Sequence, residues 1–250
     1  MLGEPPSTPY DLRFPVGSVP VRVHPFFWLL TLLIAPRHED AMALLVWIGV
    51  VFVSILVHEL GHAIAMIRYG QRPRIVLYGM GGLAISDGGG WARSKLVGAR
   101  PAPAWVERVV ISAAGPGAGF LLAALVVALV YAAGGIIHWL PPTLSHSFAL
   151  FADLDNPRLA MLADSLLYVN TFWGVLNLMP IYPLDGGHIA ASVLTARDPW
   201  RGIEQARWLA ILVAGGLSAL AFLGWNQVYL GVFFAYLAVS NYLAMQQRPW

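Results

Sequence analysis

Long apolar stretches, separated by short clusters of charge, glycine and proline, set the layout of this chain. The stretch Pro25 to Ala35 is short for a membrane span. The stretches Ala41 to Tyr69, Trp105 to Ala133, Trp208 to Trp225 and Val228 to Met245 are of the length a membrane helix needs, roughly 17–25 residues. A further span begins near Leu159 and breaks at Pro180 and Pro183, and Ile189 to Thr195 resumes as a short helix. The pattern predicts an all-α polytopic membrane protein of about six transmembrane helices. One small β element interrupts it. Arg74 to Tyr78 is β-branched and aromatic, and Gly79, Gly81 and Gly82 precede Leu83-Ala84-Ile85, which predicts a β-hairpin or re-entrant loop. Val19 to Val23 reads as a short extended piece, residues 1–18 as a polar N-terminal tail, and Asp87 to Pro103 and Gly134 to Arg158 as polar connections. Residues 1–250 are expected to form a single integral-membrane domain.

Composition agrees with the pattern. The chain is 58% hydrophobic and 11% charged, against roughly a quarter charged in ordinary soluble domains. There are no cysteines, so a metal must be held by His, Asp or Glu. The net charge is +2 and the basic residues are scattered, which excludes a nucleic-acid partner. The N-terminus lacks the layout of a cleavable signal peptide, so the first apolar segment is expected to be retained. With six spans, 13 of the 15 Lys and Arg residues fall on one side, and only Arg37 and Arg158 on the other. The positive-inside rule then places the N- and C-termini in the cytoplasm of a cell whose plasma membrane holds the chain, expected to be prokaryotic.

Against this background three residues stand out. From Ala41 to Met66 the only ionisable side chains are His58, Glu59 and His62. Ionisable groups at membrane depth are costly and read as functional. His58 and His62 are i and i+4, so a helix projects both from one face as metal ligands, with Glu59 beside them as a general base. The charge map puts this motif in the cytoplasmic half of its helix. A catalytic zinc site needs a third protein ligand. Asp164 sits at the far-side start of its span. Asp185 lies where prolines break the helix and Gly186 and Gly187 let backbone approach, and irregular backbone at membrane depth lines a cavity or packs inside protein. Asp185 is therefore the favoured third ligand, with a helix cap as the plainer reading and His188 in reserve. Asn177 either bonds freed backbone carbonyls near Pro180 or holds substrate or a developing oxyanion, and Asn170 reads as a helix-packing residue. His24, His38, His138 and His146 fall at segment ends or in loops and read as interfacial.

His58-Glu59-Leu60-Gly61-His62-Ala63, together with Asn177-x-x-Pro180-x-x-Pro183-Leu184-Asp185-Gly186-Gly187, resembles the site-2 protease family of intramembrane zinc metalloproteases. Ile111-Ser112-Ala113-Ala114-Gly115-Pro116 and the glycines at 79, 81 and 82 are similar to the family too, though Gly119 stands where the family often has Asn. The resemblance implies one Zn²⁺ per chain on His58, His62 and Asp185, with Glu59 as the base. It also implies hydrolysis of a peptide bond in a transmembrane protein or peptide substrate within the lipid bilayer. Gly79, Gly81, Gly82 and Asn177 are the candidates for holding that substrate or its oxyanion. The likeness is to a compact member without PDZ or nucleotide-sensing CBS domain. The alternative from the residues alone is a metal-binding membrane transporter without proteolytic activity.

Overall fold

The structure is a computed structural model, and it describes residues 4–35, 40–79, 81–86, 103–140 and 149–246. Two short strands come first, β1 (Leu12–Val16) and β2 (Val19–Val23), then helices α1 (Pro25–Leu33) and α2 (Ala41–Arg68). Strands β3 (Pro73–Tyr78) and β4 (Gly81–Ser86) follow, then α3 (Ala104–Ala132), β5 (Ile136–Leu140) and β6 (Ala149–Asp153). The chain closes with α4 (Pro157–Asn177), α5 (Asp185–Arg197), α6 (Gly202–Leu223) and α7 (Val228–Gln246). His38 and His146 lie outside the described residues.

Five helices, α2, α3, α4, α6 and α7, are long and apolar enough to cross a membrane. The expected six spanning helices are therefore five among the described residues. The missing one is α1, whose nine residues reach about 14 Å, under half of the roughly 30 Å hydrocarbon core. His24 ends the strand before it and caps it: its Nδ1 accepts from the Phe26 N–H at 3.2 Å, and the ring is buried rather than interfacial. Pro25 at the first turn offers no N–H to be satisfied.

The β element is larger than a hairpin. β1 and β2 pair antiparallel, β2 and β3 parallel, and β3 and β4 antiparallel, giving one four-stranded sheet in the order β1-β2-β3-β4. So residues 1–18 are not only a polar tail, because β1 lies within them. The Leu12–Val16 run escaped notice because one proline and an exposed face mask its alternation. A second, two-stranded sheet, β5 with β6, occupies the connection read as merely polar. Asp164 holds it to α4 by accepting the Ala152 N–H at 2.6 Å.

The parallel β2–β3 pair fixes how the first helices run. The chain leaves the sheet after Val23 and returns to it at Pro73. α1 lies antiparallel to α2: Phe27 packs edgewise on Phe52, and farther along Thr31 accepts from Trp47 Nε1 on its carbonyl at 3.2 Å. α1 thus runs outward from the sheet, and α2 runs back to it. One face of the sheet, Val21, Val23, Ile75 and Leu77, is buried with Phe27, Trp47, Val51 and Ile55 in a shared apolar cluster. Burying such side chains contributes about 1.5–3 kcal/mol each, enough to hold the sheet against the C-terminal half of α2, where the site forms.

Candidate metal centre

His58, Glu59 and His62 lie on α2, six to ten residues before its end at Arg68, hence about 9–15 Å from the sheet-side end. All three are buried. Two close approaches bring the remaining groups in. Gly61 lets α3 lie against α2, since a Cβ there would collide with the Ala114 carbonyl. Gly115 of α3 faces the two imidazoles, and a Cβ on it would run into His62 and His58. Pro116 follows inside α3 and is fully buried; it has no N–H to give the Ser112 carbonyl, which loosens the helix ladder beside the site.

Asp185 begins α5 after the irregular Leu178–Leu184 segment. Gly186 and Gly187 pack on that segment so closely that a Cβ on either would strike the backbone of Leu178 or Ile181. This seats the carboxylate between the histidines. His58 Nε2 lies 3.1 Å from Asp185 Oδ2, His62 Nε2 lies 3.4 Å from Asp185 Oδ1, and the two Nε2 atoms are 3.2 Å apart. Ligand atoms about 2.0–2.1 Å from a tetrahedral zinc stand about 3.3 Å from each other. The Nε2–Nε2 edge and the His58 Nε2–Asp185 Oδ2 edge match, and one donor atom from each of the three residues lies within 4.8 Å of the others, so the residues present fit the ion. His62 Nδ1 meets the Ile111 carbonyl at 2.7 Å. A carbonyl only accepts, so Nδ1 carries the proton and Nε2 presents its lone pair inward, the outer-shell arrangement usual for a metal-bound histidine. Among the described residues this is the group able to hold a metal.

Residues 46–223 match the family model for Peptidase family M50. The chain belongs to that family. The peptidase is 27% identical to stage IV sporulation protein FB of Bacillus subtilis over 234 residues, 92% of this chain and 67% of that one. It is 26% identical to a zinc metalloprotease of Methanocaldococcus jannaschii over 192 residues, 75% of this chain and 47% of that one. It therefore spans about half to two thirds of the length of these relatives. Its fold is that of the site-2 protease from Methanocaldococcus jannaschii, with a TM-score of 0.55 over 94% of both chains at 19% identity. Family membership makes the peptidase a zinc metalloendopeptidase of the site-2 protease type.

Glu59 points to the sheet. The Ala84 N–H of β4 donates to its carboxylate, and Gly82 lies so near that a Cβ there would overlap it. Of the three glycines named from sequence, Gly82 alone reaches the glutamate. Gly81 has φ +111°, a conformation side chains rarely adopt, and faces Trp173; Gly79 packs on Phe26 of α1. Asn177 is buried and donates from Nδ2 to the Trp173 carbonyl at 2.9 Å, one turn back in its own helix. His188 stands apart from the ligand group, edge-on to Tyr182 with ring centroids 4.7 Å apart. Asn170 donates to Ser54 Oγ at 2.9 Å and joins α4 to α2, with Gly119 of α3 beside it.

Sequence reading missed three contributors. The Ile111 carbonyl and the Ala84 N–H are backbone groups and carry no signal of their own. Asn241 does carry one, as a polar residue in an apolar span. It is buried on α7 and donates to the Tyr182 carbonyl at 2.8 Å and the Leu237 carbonyl at 2.9 Å, pinning the segment that leads into Asp185.

Proposed function

We propose that this peptidase hydrolyses a peptide bond in or near a transmembrane segment of a membrane-protein substrate. The observation that carries the reading is Glu59 sitting between a zinc-fitting His58–His62–Asp185 group and the edge of a β-strand. Zinc, when bound, supplies Lewis-acid polarisation of the scissile carbonyl and of water. Glu59 takes the proton of the attacking water and passes it to the leaving amine. The Ile111 carbonyl keeps the His62 imidazole aimed inward throughout.

A helical substrate hides its peptide bonds, so it must unwind before attack, and β4 offers it a place to do so. β3 and β4 are antiparallel with Ile75 opposite Ala84, and in such a ladder a residue turns both amide groups either toward its partner or away. The Ala84 N–H goes to Glu59, so Gly82, Ala84 and Ser86 turn away from β3. An extended substrate strand could pair with that edge beside the base.

The same arrangement supports a multi-pass protein of a prokaryotic cell membrane with both termini, the sheet and α5 on the cytoplasmic side, where most basic residues lie. A metal carrier is the weaker reading, because a transport site has no need of a glutamate between its histidines or of a peptidase family's whole motif set. The deciding assay is cleavage of a membrane-embedded peptide by purified protein. A chelator should abolish cleavage and zinc should restore it. Undiminished cleavage in chelator, or metal uptake into proteoliposomes with no cleavage, would count against the proposal.

A further inference from the structure

Three buried side-chain polar atoms have no hydrogen-bond partner among the described residues: Thr195 Oγ1, Arg207 Nε and Asn241 Oδ1. They gather around Tyr182. Asn241 holds its carbonyl, the Arg207 guanidinium lies 5.9 Å from its ring centroid, and Thr195 shares with it a cavity of about 320 Å³. The cavity is bounded by the end of α2, the start of α3, α5 and the start of α6, with Arg108, Ser112 and His188 in its wall. It adjoins the metal centre, because Ile111, whose carbonyl accepts the hydrogen bond of His62 Nδ1–H, also lines it. Its volume falls at the lower end of pockets that take small ligands, about 300–1,000 Å³.

The unsatisfied groups say what is missing. A guanidinium N–H only donates, and a buried hydroxyl without a partner has its hydrogen to give, so Thr195 and Arg207 both lack an acceptor. Asn241 Oδ1 is itself an acceptor and makes no such demand. No Asp or Glu is among the residues lining the cavity. Burial raises the Tyr182 phenol, and Arg207 and Arg108 oppose the rise, so both cationic groups act on this place. An acid-free pocket with the unused Thr195 donor and Arg108 in its wall, and the Arg207 guanidinium beyond the Tyr182 ring, suits a negatively charged acceptor.

We propose that this cavity is a carboxylate subsite that receives the C-terminal carboxylate of the peptide released by cleavage, held by Arg108 and Thr195 with Arg207 behind Tyr182. This rests on the proteolytic reading above. Hydrolysis adds the water oxygen to the acyl carbon as the C–N bond breaks. The amine takes a proton, and the new acid loses one, so an anion is made next to the triad and must leave it.

The test is fluorescence anisotropy on the full-length, zinc-loaded protein in neutral detergent micelles. It compares a labelled apolar decapeptide ending in a free carboxylate with the same peptide as its carboxamide. The acid should bind about tenfold more tightly. Arg108→Gln and Thr195→Val should each bring the two peptides within about twofold, at unchanged zinc content, while Arg108→Lys keeps most of the preference. Equal binding by the unsubstituted protein overturns the subsite. So does a preference that survives both substitutions, since a carboxylate on the metal itself would behave that way. Tighter binding of an anionic phospholipid than of the acid peptide, lost in the same variants, assigns the cavity to a lipid headgroup and also overturns it. Cleavage is followed in parallel: cutting without acid preference removes only the subsite, whereas acid preference without any cutting removes the proteolytic reading and leaves an anion site.

Discussion

His62 is fixed at both ring nitrogens, by the Ile111 carbonyl on one side and the ligand group on the other, and Glu59 is fixed by a strand amide. A base held this way is sensitive to loss of its carboxylate but not needed to retain the ion. Glu59→Gln should lower cleavage by about 10²–10⁴-fold while zinc content, measured by elemental analysis of the purified protein, stays that of the unsubstituted chain. The glycine on α3 makes the opposite prediction. Gly115→Ala puts a Cβ into His62 and His58, whereas Gly117→Ala, one residue pair later, meets open space. Zinc content and activity should fall together in the first and neither should change in the second. Equal zinc retention in both would mean that α3 does not press on the ligands. The histidines and Asp185 were legible from residue type and spacing. The carbonyl that orients His62 and the amide that meets Glu59 were not, because every residue has both and only the fold selects which ones face the site.

At the scale of elements, the sheet is tied down by its own N-terminal segment. The buried Asp11 carboxylate accepts from Arg22 Nη1 at 2.9 Å and from the Thr8 hydroxyl at 2.6 Å, and Glu4 accepts from Arg22 Nη2 at 2.7 Å. Burial pushes Asp11 up, but the Thr8 and Arg22 bonds outweigh it and hold the carboxyl well below the usual range. A depressed folded value means that this tie is in full force above the unfolded value of about 3.9 and is lost as pH falls below it. Hydrogen exchange of residues 4–16 should therefore be uniform from neutral pH to about pH 5 after correction for intrinsic rates and rise at lower pH. Asp11→Asn should give the raised exchange already at neutral pH. Sequence pattern found β3 and β4 but not β1, β5 or β6. Five-residue strands with exposed faces do not alternate clearly.

For the whole molecule, the sheet reconciles a charge map built on six spans with five spanning helices among the described residues. α1 is too short to cross by itself, yet the β2–β3 pair brings both ends of the α1–α2 excursion to one end of α2. On the proposed topology the chain crosses six times with five spanning helices among the described residues. Site-directed labelling in a chain without native cysteine can check this. Ser7→Cys and Trp200→Cys should react with an impermeant maleimide from one side, and Asp155→Cys and Gln227→Cys from the other. Ser7 and Trp200 reacting from opposite sides would break the proposed topology. The sequence alone determined the membrane class and singled out the two histidines, the glutamate and the aspartate as the candidate site, because ionisable residues and prolines at membrane depth are too costly to be incidental. Only the tertiary structure decided which backbone groups orient the ligands, that Gly82 and not its neighbours meets Glu59, that Asn241 pins the segment before Asp185, and that an acid-free cavity adjoins His62. Those facts depend on which helix faces meet, and apolar faces of similar composition do not encode their partners locally.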